Sequence, residues 1–148
     1  MQSIRRWRNG GKFDGALLSD EEKSLRAYYK TVLTLCNKEK AIREGDFYDV
    51  MFANYENQAM DTNHQYAFLR KSNKELILVI ANFEGHDVNT EIRIPADAFT
   101  YLQIPADSRE IKAKDLLTGK TEEHTLAPDC MIKTTVEGHN GKVLKFKL

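Results

Sequence analysis

Glu75-Leu76-Ile77-Leu78-Val79-Ile80-Ala81-Asn82-Phe83 is the stretch on which the fold turns. Its apolar residues run without the polar interruptions of a half-buried strand, and Ile77, Val79 and Ile80 are β-branched. A strand apolar on both faces is central in a sheet and covered on both sides. Turn signals bound it: Ser72-Asn73-Lys74 before, Gly85-His86-Asp87 after. The run is too short to cross a bilayer, and the chain has no longer one.

Working outward, the period stays at two. Toward the N-terminus, Gln65–Lys71 reads as a strand, Asn54–His64 as a polar loop and Phe47–Ala53 as strand-like. Toward the C-terminus, Val88–Ile94 alternates and Pro95 ends it. Ala96–Ser108 is less regular. Arg109–Leu117 and the short Glu122–Leu126 follow, with a Leu117-Thr118-Gly119-Lys120 turn between them. Met131–Val136 and Lys142–Leu148 read as a last hairpin around Gly138-His139-Asn140-Gly141. Short alternating strands at this rhythm predict a mainly β fold, an antiparallel Greek-key-like sandwich of about eight strands.

One α-helix precedes them. Ser19-Asp20-Glu21-Glu22 is a capping box, and its acidic residues suit the positive end of the helix dipole. Leu25, Tyr28, Tyr29, Val32, Leu33, Leu35 and Cys36 recur at helical spacing as far as about Asn37. Leu25, Tyr29, Val32, Leu33 and Cys36 share the face expected to pack, and the helix is the expected cover for strand 76–83. Before Ser19, the glycines and Asp14 in Arg5–Gly15 predict a loop. The expected organisation is an irregular segment 1–18, a helical segment 19–45 and a sandwich 46–148.

Hydrophobic residues make up 41% and charged residues 30%, the composition of one ordinary globular domain. Basic and acidic residues balance at 22 each, which argues against a nucleic-acid partner. Met1-Gln-Ser-Ile-Arg-Arg-Trp lacks the apolar stretch of a signal peptide, and no membrane partner is expected. Cys36 and Cys130 are expected to be buried free thiols, which leaves the compartment open.

No catalytic constellation emerges. His64, His86, His124 and His139 fall in predicted loops or on exposed strand positions, none at metal-ligand spacing. There is no C-x-x-C pair, nucleophile elbow or phosphate loop, so neither metal nor cofactor is expected. Tyr28, Tyr29, Phe47, Phe68, Phe83 and Phe146 lie at core periodicity. Trp7, Tyr55 and Tyr101 lie in predicted loops and are the candidates for stacking on sugar rings.

Three stretches, in order and at matching spacing, resemble the C-terminal region of alpha-amylase-type enzymes of glycoside hydrolase family 13. Leu25–Asn37 with Ala41-Ile42-Arg43-Glu44-Gly45 is similar to the last barrel helix and the turn leaving it. Tyr66-Ala67-Phe68-Leu69-Arg70 and Leu78–Phe83 resemble two strands of the following domain. Asp115-Leu116-Leu117-Thr118-Gly119 resembles one of its turns. The likeness covers residues 25–148. It implies a non-catalytic C-terminal domain whose partner is a (β/α)8 barrel acting on α-glucans. The family's catalytic carboxylates lie upstream of every matched stretch, so no catalytic residue carries over. Family members have a long preceding chain, whereas this sequence starts at Met1, and its parentage stays open. The alternative expectation is a carbohydrate-binding module using the loop aromatics Trp7, Tyr55 and Tyr101.

Overall fold

A computed structural model describes residues 2–148, with side chains from Ile4 onward. The chain divides into two compact units, Met1–Asn37 and Lys38–Leu148.

In the first unit, α1 spans Gln2–Arg8 and runs into a 3₁₀ turn at Asn9–Gly11. The predicted loop over Arg5–Gly15 is therefore helical in its first part, and irregular only from Lys12. Its anchor is Trp7. Arg26 places its guanidinium 4.3 Å from the centre of the Trp7 ring, a cation–π contact. A Cβ at Gly15 would lie 2.6 Å from that ring, so only glycine lets the chain pass beneath it. Helix α2, Asp20–Lys38, starts on the expected capping box. The Glu22 amide donates to Ser19 Oγ (3.2 Å), and the Ser19 amide donates to Glu22 Oε2 (2.9 Å). None of its residues is buried. Leu25, Tyr29, Leu33 and Cys36 are exposed and Val32 is half-buried, as Leu33 at 60% exposure illustrates. Tyr28, expected in the core, is exposed as well.

The second unit is the sandwich. It opens with a short helix α3, Lys40–Glu44, and strands β1, Asp46–Asp49, β2, Gln65–Ser72, and β3, Glu75–Asn82. Then come β4, Val88–Ile94, helix α4, Ala96–Tyr101, and β5, Arg109–Asp115. Strands β6, Thr121–Leu126, β7, Cys130–Val136, and β8, Asn140–Lys147, complete it. The large sheet has the order β1-β2-β3-β8-β5-β6, and β4 pairs with β7 in a small second sheet. All pairings are antiparallel. The mainly β sandwich with eight strands matches the expectation, but α1, α3 and α4 join the one predicted helix.

Between the sheets, alternate residues of each strand form one core: Ala67 and Leu69, Leu76, Leu78 and Ile80, Ile92 and Ile94, Ile132 and Val136, Leu144 and Phe146. Each large side chain buried there contributes roughly 1.5–3 kcal/mol. Of the six aromatics expected in the core, only Phe146 is wholly buried. Phe47 is exposed, Phe68 half-buried, and Phe83, just past the end of β3, is 64% exposed.

The predicted terminal hairpin does not form. β7 and β8 are consecutive but lie in different sheets, and β8 inserts between β3 and β5. The link between them is pinned to the β3–β4 turn instead. The Gly138 amide donates to Asp87 Oδ1 (3.1 Å) and the His139 amide to the Glu84 carbonyl (2.7 Å). Buried Asn82 donates to the carbonyls of His86 and Glu137. A Cβ at Gly138 would come within 2.6 Å of the Gly85 backbone, so this glycine serves a chain crossing, not a hairpin tip.

The small sheet has a free edge at β4, and side chains close it. Asn54, fully buried, donates to the Arg93 carbonyl (3.0 Å) and accepts from the Arg93 amide (2.8 Å). Asn57 donates to the Glu91 carbonyl (2.7 Å), and the Ala59 carbonyl accepts from the Glu91 amide (3.1 Å). The expected polar loop 54–64 thus imitates a third strand, which satisfies backbone groups that an exposed edge would leave open.

Candidate functional site

The outer face of the large sheet carries the most distinctive surface of the second unit. β1–β3 pair so that Asp49 faces Phe68, Phe68 faces Val79, and Tyr66 faces Ala81. These residues alternate with the core residues Ala67, Leu69, Leu78 and Ile80, so they point away from the core. Phe47 and Phe68 approach with ring centres 5.4 Å apart, and Tyr66 and Phe68 with centres 6.0 Å apart. Burial raises the Tyr66 pKa, with a further push from the Asp49 charge. Tyr66-Ala67-Phe68-Leu69 is apolar on both faces, so its periodicity could not say which side meets the core.

Only one end of this outer face is covered within the unit. Helix α3 lies against β2 and β3 there. Arg70 donates through Nε to the Ala41 carbonyl (3.2 Å) and through Nη2 to the Ile42 carbonyl (2.7 Å). Lys145 pairs with Glu39 (2.6 Å) and Glu75 (2.7 Å) beside it. Ile77, on the same face as Arg70, is fully buried. The cover expected for the doubly apolar strand is thus met at Ile77 by the five-residue α3.

The structure describes all three predicted glycan-stacking residues. Trp7 belongs to the first unit and is half-buried under Arg26. Tyr101 is exposed at the end of α4, its ring centre 5.7 Å from that of Tyr48. Tyr48 in turn meets Phe52 at 6.0 Å, and burial raises its pKa. Tyr55, 68% exposed, lines a groove of about 550 Å³ with Phe52, Asn57, Arg93 and Met131. Tyr101 thus meets Tyr48, Tyr48 meets Phe52, and Phe52 shares the groove with Tyr55; Phe52 and Tyr48 are absent from the candidate set. Phe52 escaped notice because it lies in a stretch read as strand, whereas Met51–Asn54 is a 3₁₀ turn that swings the ring outward.

A polar cluster sits between the sheets. Glu122 and His124 alternate with outward residues of β6 and face inward, beside Lys142 of β8 and Thr134 of β7. Lys142 pairs with Glu122, and both Lys142 and Glu122 reach Thr134 Oγ1 (2.6 and 2.8 Å). Burial alone would raise the Glu122 carboxyl, but hydrogen bonds from Lys142 and Thr134 outweigh it and lower the pKa. Burial also pushes the His124 imidazole below its usual range, against the pull of Glu122. His124 is thus buried on a strand, contrary to the expectation of an exposed position. Its Nε2 lies 3.4 Å from Glu122 Oε2, a contact too loose to satisfy it fully as a hydrogen bond. Cys36 is exposed and Cys130 half-buried, so neither is the fully buried thiol expected. Burial raises the Cys130 pKa, which disfavours the reactive thiolate.

The family model described as "Alpha amylase, C-terminal all-beta domain" matches residues 55–147. No curated protein matches the chain. Among solved structures, the chain is similar to the noncanonic maltogenic alpha-amylase AmyB of Thermotoga neapolitana, with TM-score 0.59 and 14% identity over 90% of this chain and 27% of that one. It is similar to the alpha-amylase of Geobacillus thermoleovorans, complexed with acarbose, with TM-score 0.56 and 15% identity over 93% of this chain and 26% of that one. It is also similar to the trehalose-6-phosphate hydrolase of Bacillus licheniformis, with TM-score 0.53 and 24% identity over 91% of this chain and 20% of that one. The chain therefore spans about a quarter or less of these enzymes.

Proposed function

This chain belongs to the family of alpha-amylase C-terminal all-beta domains, and from that membership we propose that it is the non-catalytic accessory part of a glycosidase acting on α-glucans. Its role is to pack on a catalytic (β/α)8 barrel and shield apolar surface there. The observation that carries this reading is the outer sheet face. Phe47, Tyr66 and Phe68 form a contiguous aromatic patch that nothing in the second unit covers, beside an end that α3 does cover. Apolar patches of this kind mark interaction surfaces. In the first unit, Leu25, Tyr29 and Leu33 of α2 present a second uncovered apolar face, as the outer helix of a barrel would toward its neighbours.

The test is a chimera. Residues 38–148 replace the C-terminal all-β domain of the Bacillus licheniformis trehalose-6-phosphate hydrolase, and thermal inactivation is followed. The chimera should outlast the enzyme without any C-terminal domain, and Phe68→Glu with Tyr66→Ser should remove that gain. Equal inactivation of all three would refute the docking role. The isolated chain should release no reducing sugar from soluble starch.

A second reading rests on the groove at Tyr55. An exposed ring beside Phe52, with Asn57 and Arg93 at hand, combines a stacking platform with hydrogen-bonding groups, as sugar sites require. Maltooligosaccharide titration followed by amide shifts tests it. Shifts confined to Tyr55 and Phe52 and lost in Tyr55→Ala support it, and their absence at millimolar sugar excludes it.

A further inference from the structure

We propose that Asp61, His64 and Glu84 form a binding site for a divalent transition-metal cation of the zinc type. The three come from two segments that meet at one end of the sandwich. Asp61 and His64 lie on the turn entering β2, and Glu84 follows β3. The Phe83 amide donates to the His64 carbonyl (2.8 Å), extending the β2–β3 ladder past its last pair, Gln65 with Asn82.

The ligand atoms converge on one point. His64 Nδ1 lies 2.8 Å from Asp61 Oδ2 and 3.0 Å from Glu84 Oε1, and all three atoms are within 4.8 Å of one another. Adjacent ligands on a metal with bonds of about 2.1 Å are separated by roughly 3 Å when they subtend a right angle. Without a cation, the arrangement is under-supplied with donors. One N–H at Nδ1 faces two carboxylates, and a metal ion serves all three groups at once. Two carboxylates and a neutral imidazole also match a divalent charge.

The frame is fixed before any ion arrives. The Asn63 amide holds Asp61 Oδ1 (3.0 Å), and the amides of His64 and Gln65 both donate to the Asp61 carbonyl. The Glu84 amide donates to Asn82 Oδ1 (3.0 Å), and its carbonyl accepts from the His139 amide (2.7 Å). Further imidazoles crowd the same turn. His86 Nδ1 is 3.9 Å from Glu84 Oε2, and the His139 ring lies over Gly85. Three of the four histidines in the chain thus gather here from distant positions. Mixed imidazole and carboxylate ligation suits zinc-type ions, whereas calcium and magnesium take oxygen alone.

Calorimetric titration of the untagged chain with Zn2+ at pH 7.5 should give one saturable site, and the His64 ring resonances should shift. Asp61→Asn, His64→Gln and Glu84→Gln should each weaken binding by more than about tenfold, a loss that even an outer-shell partner can cause. His124→Gln should leave it unchanged, and Ca2+ should not compete. Far-UV circular dichroism verifies that each variant is folded. The absence of saturable binding would overturn the proposal. So would wild-type affinity in His64→Gln, binding lost only in His86→Gln or His139→Gln, or equal affinity for Ca2+.

Discussion

Replacing Asn54 by alanine should destabilise the sandwich by about 2–4 kcal/mol. The side chain is fully buried and uses both ends of its amide. Nδ2 donates to the carbonyls of Val50 (2.8 Å) and Arg93 (3.0 Å). Oδ1 accepts from the Arg93 amide (2.8 Å) and from Asn57 Nδ2 (2.9 Å). The Val50 carbonyl keeps a second donor, the Ala53 amide, so its loss is small. The Arg93 amide and carbonyl have no such substitute, because they point away from β7. Each buried group left unpaired costs about 1–3 kcal/mol, reduced where water can enter. Asn54→Asp is the informative companion: it keeps the acceptor for the Arg93 amide but sets a carboxylate against two carbonyls. Its folded-state pKa should rise, so its deficit should shrink at low pH and grow as pH rises through that value. Urea unfolding followed by far-UV circular dichroism gives the free energy, and hydrogen exchange reads the Arg93 amide directly. A loss below about 0.5 kcal/mol, the range of surface sites, would refute the claim that an asparagine closes this edge. So would unchanged protection at Arg93.

Arg70→Met should loosen α3 and lower stability by about 1.5 kcal/mol, at the low end for hydrogen bonds from a charged group because the site is partly exposed. Arg70→Lys should not restore it in thermal melts, since one ammonium cannot reproduce the fork that reaches Ala41 and Ile42. His124 has a folded-state pKa below its unfolded value, so its contribution is present above about pH 6.5 and is lost as pH falls through the lower value. Stability measured from pH 7 to pH 5 should therefore decline, and the decline should flatten in His124→Phe. Residues 38–148 expressed alone should melt close to the midpoint of the sandwich in the full chain, and failure to fold would show that α2 is integral to it.

The strands were legible because their period of two is set by geometry, and β2 to β6 lie close to where alternation put them. Which face meets the core was less legible. Tyr66 and Phe68 compete with Ala67 and Leu69 on chemically equal terms, and three-dimensional context chose the smaller pair. The β7–β8 misreading has a similar origin. Glycine and asparagine suit a tight hairpin, but Gly138 is required by the backbone of Gly85, far away in sequence. His124 looked exposed because nothing local announces that Phe146 of β8 packs against its ring. α1 was hidden by the glycines that follow it, whose conformational signal outweighs a helix of only seven residues. Of the proposed sites, Tyr55 was visible as an unassigned aromatic, whereas the His64 cluster depends on Glu84 arriving from across a ladder.

The position of β8 bears on synthesis. A ribosome delivers this chain in order, and until residues 140–147 emerge the large sheet exists as two fragments, β1-β2-β3 and β5-β6, each with an open inner edge. Both edges present unpaired backbone groups, and that of β3 is apolar as well, so they are sticky toward other nascent chains while they wait. The last eight-residue strand is the keystone that joins them. A frameshift or protease cut that removes it leaves no truncated but serviceable domain. It leaves two unfinished sheets, which cellular quality control would recognise and clear.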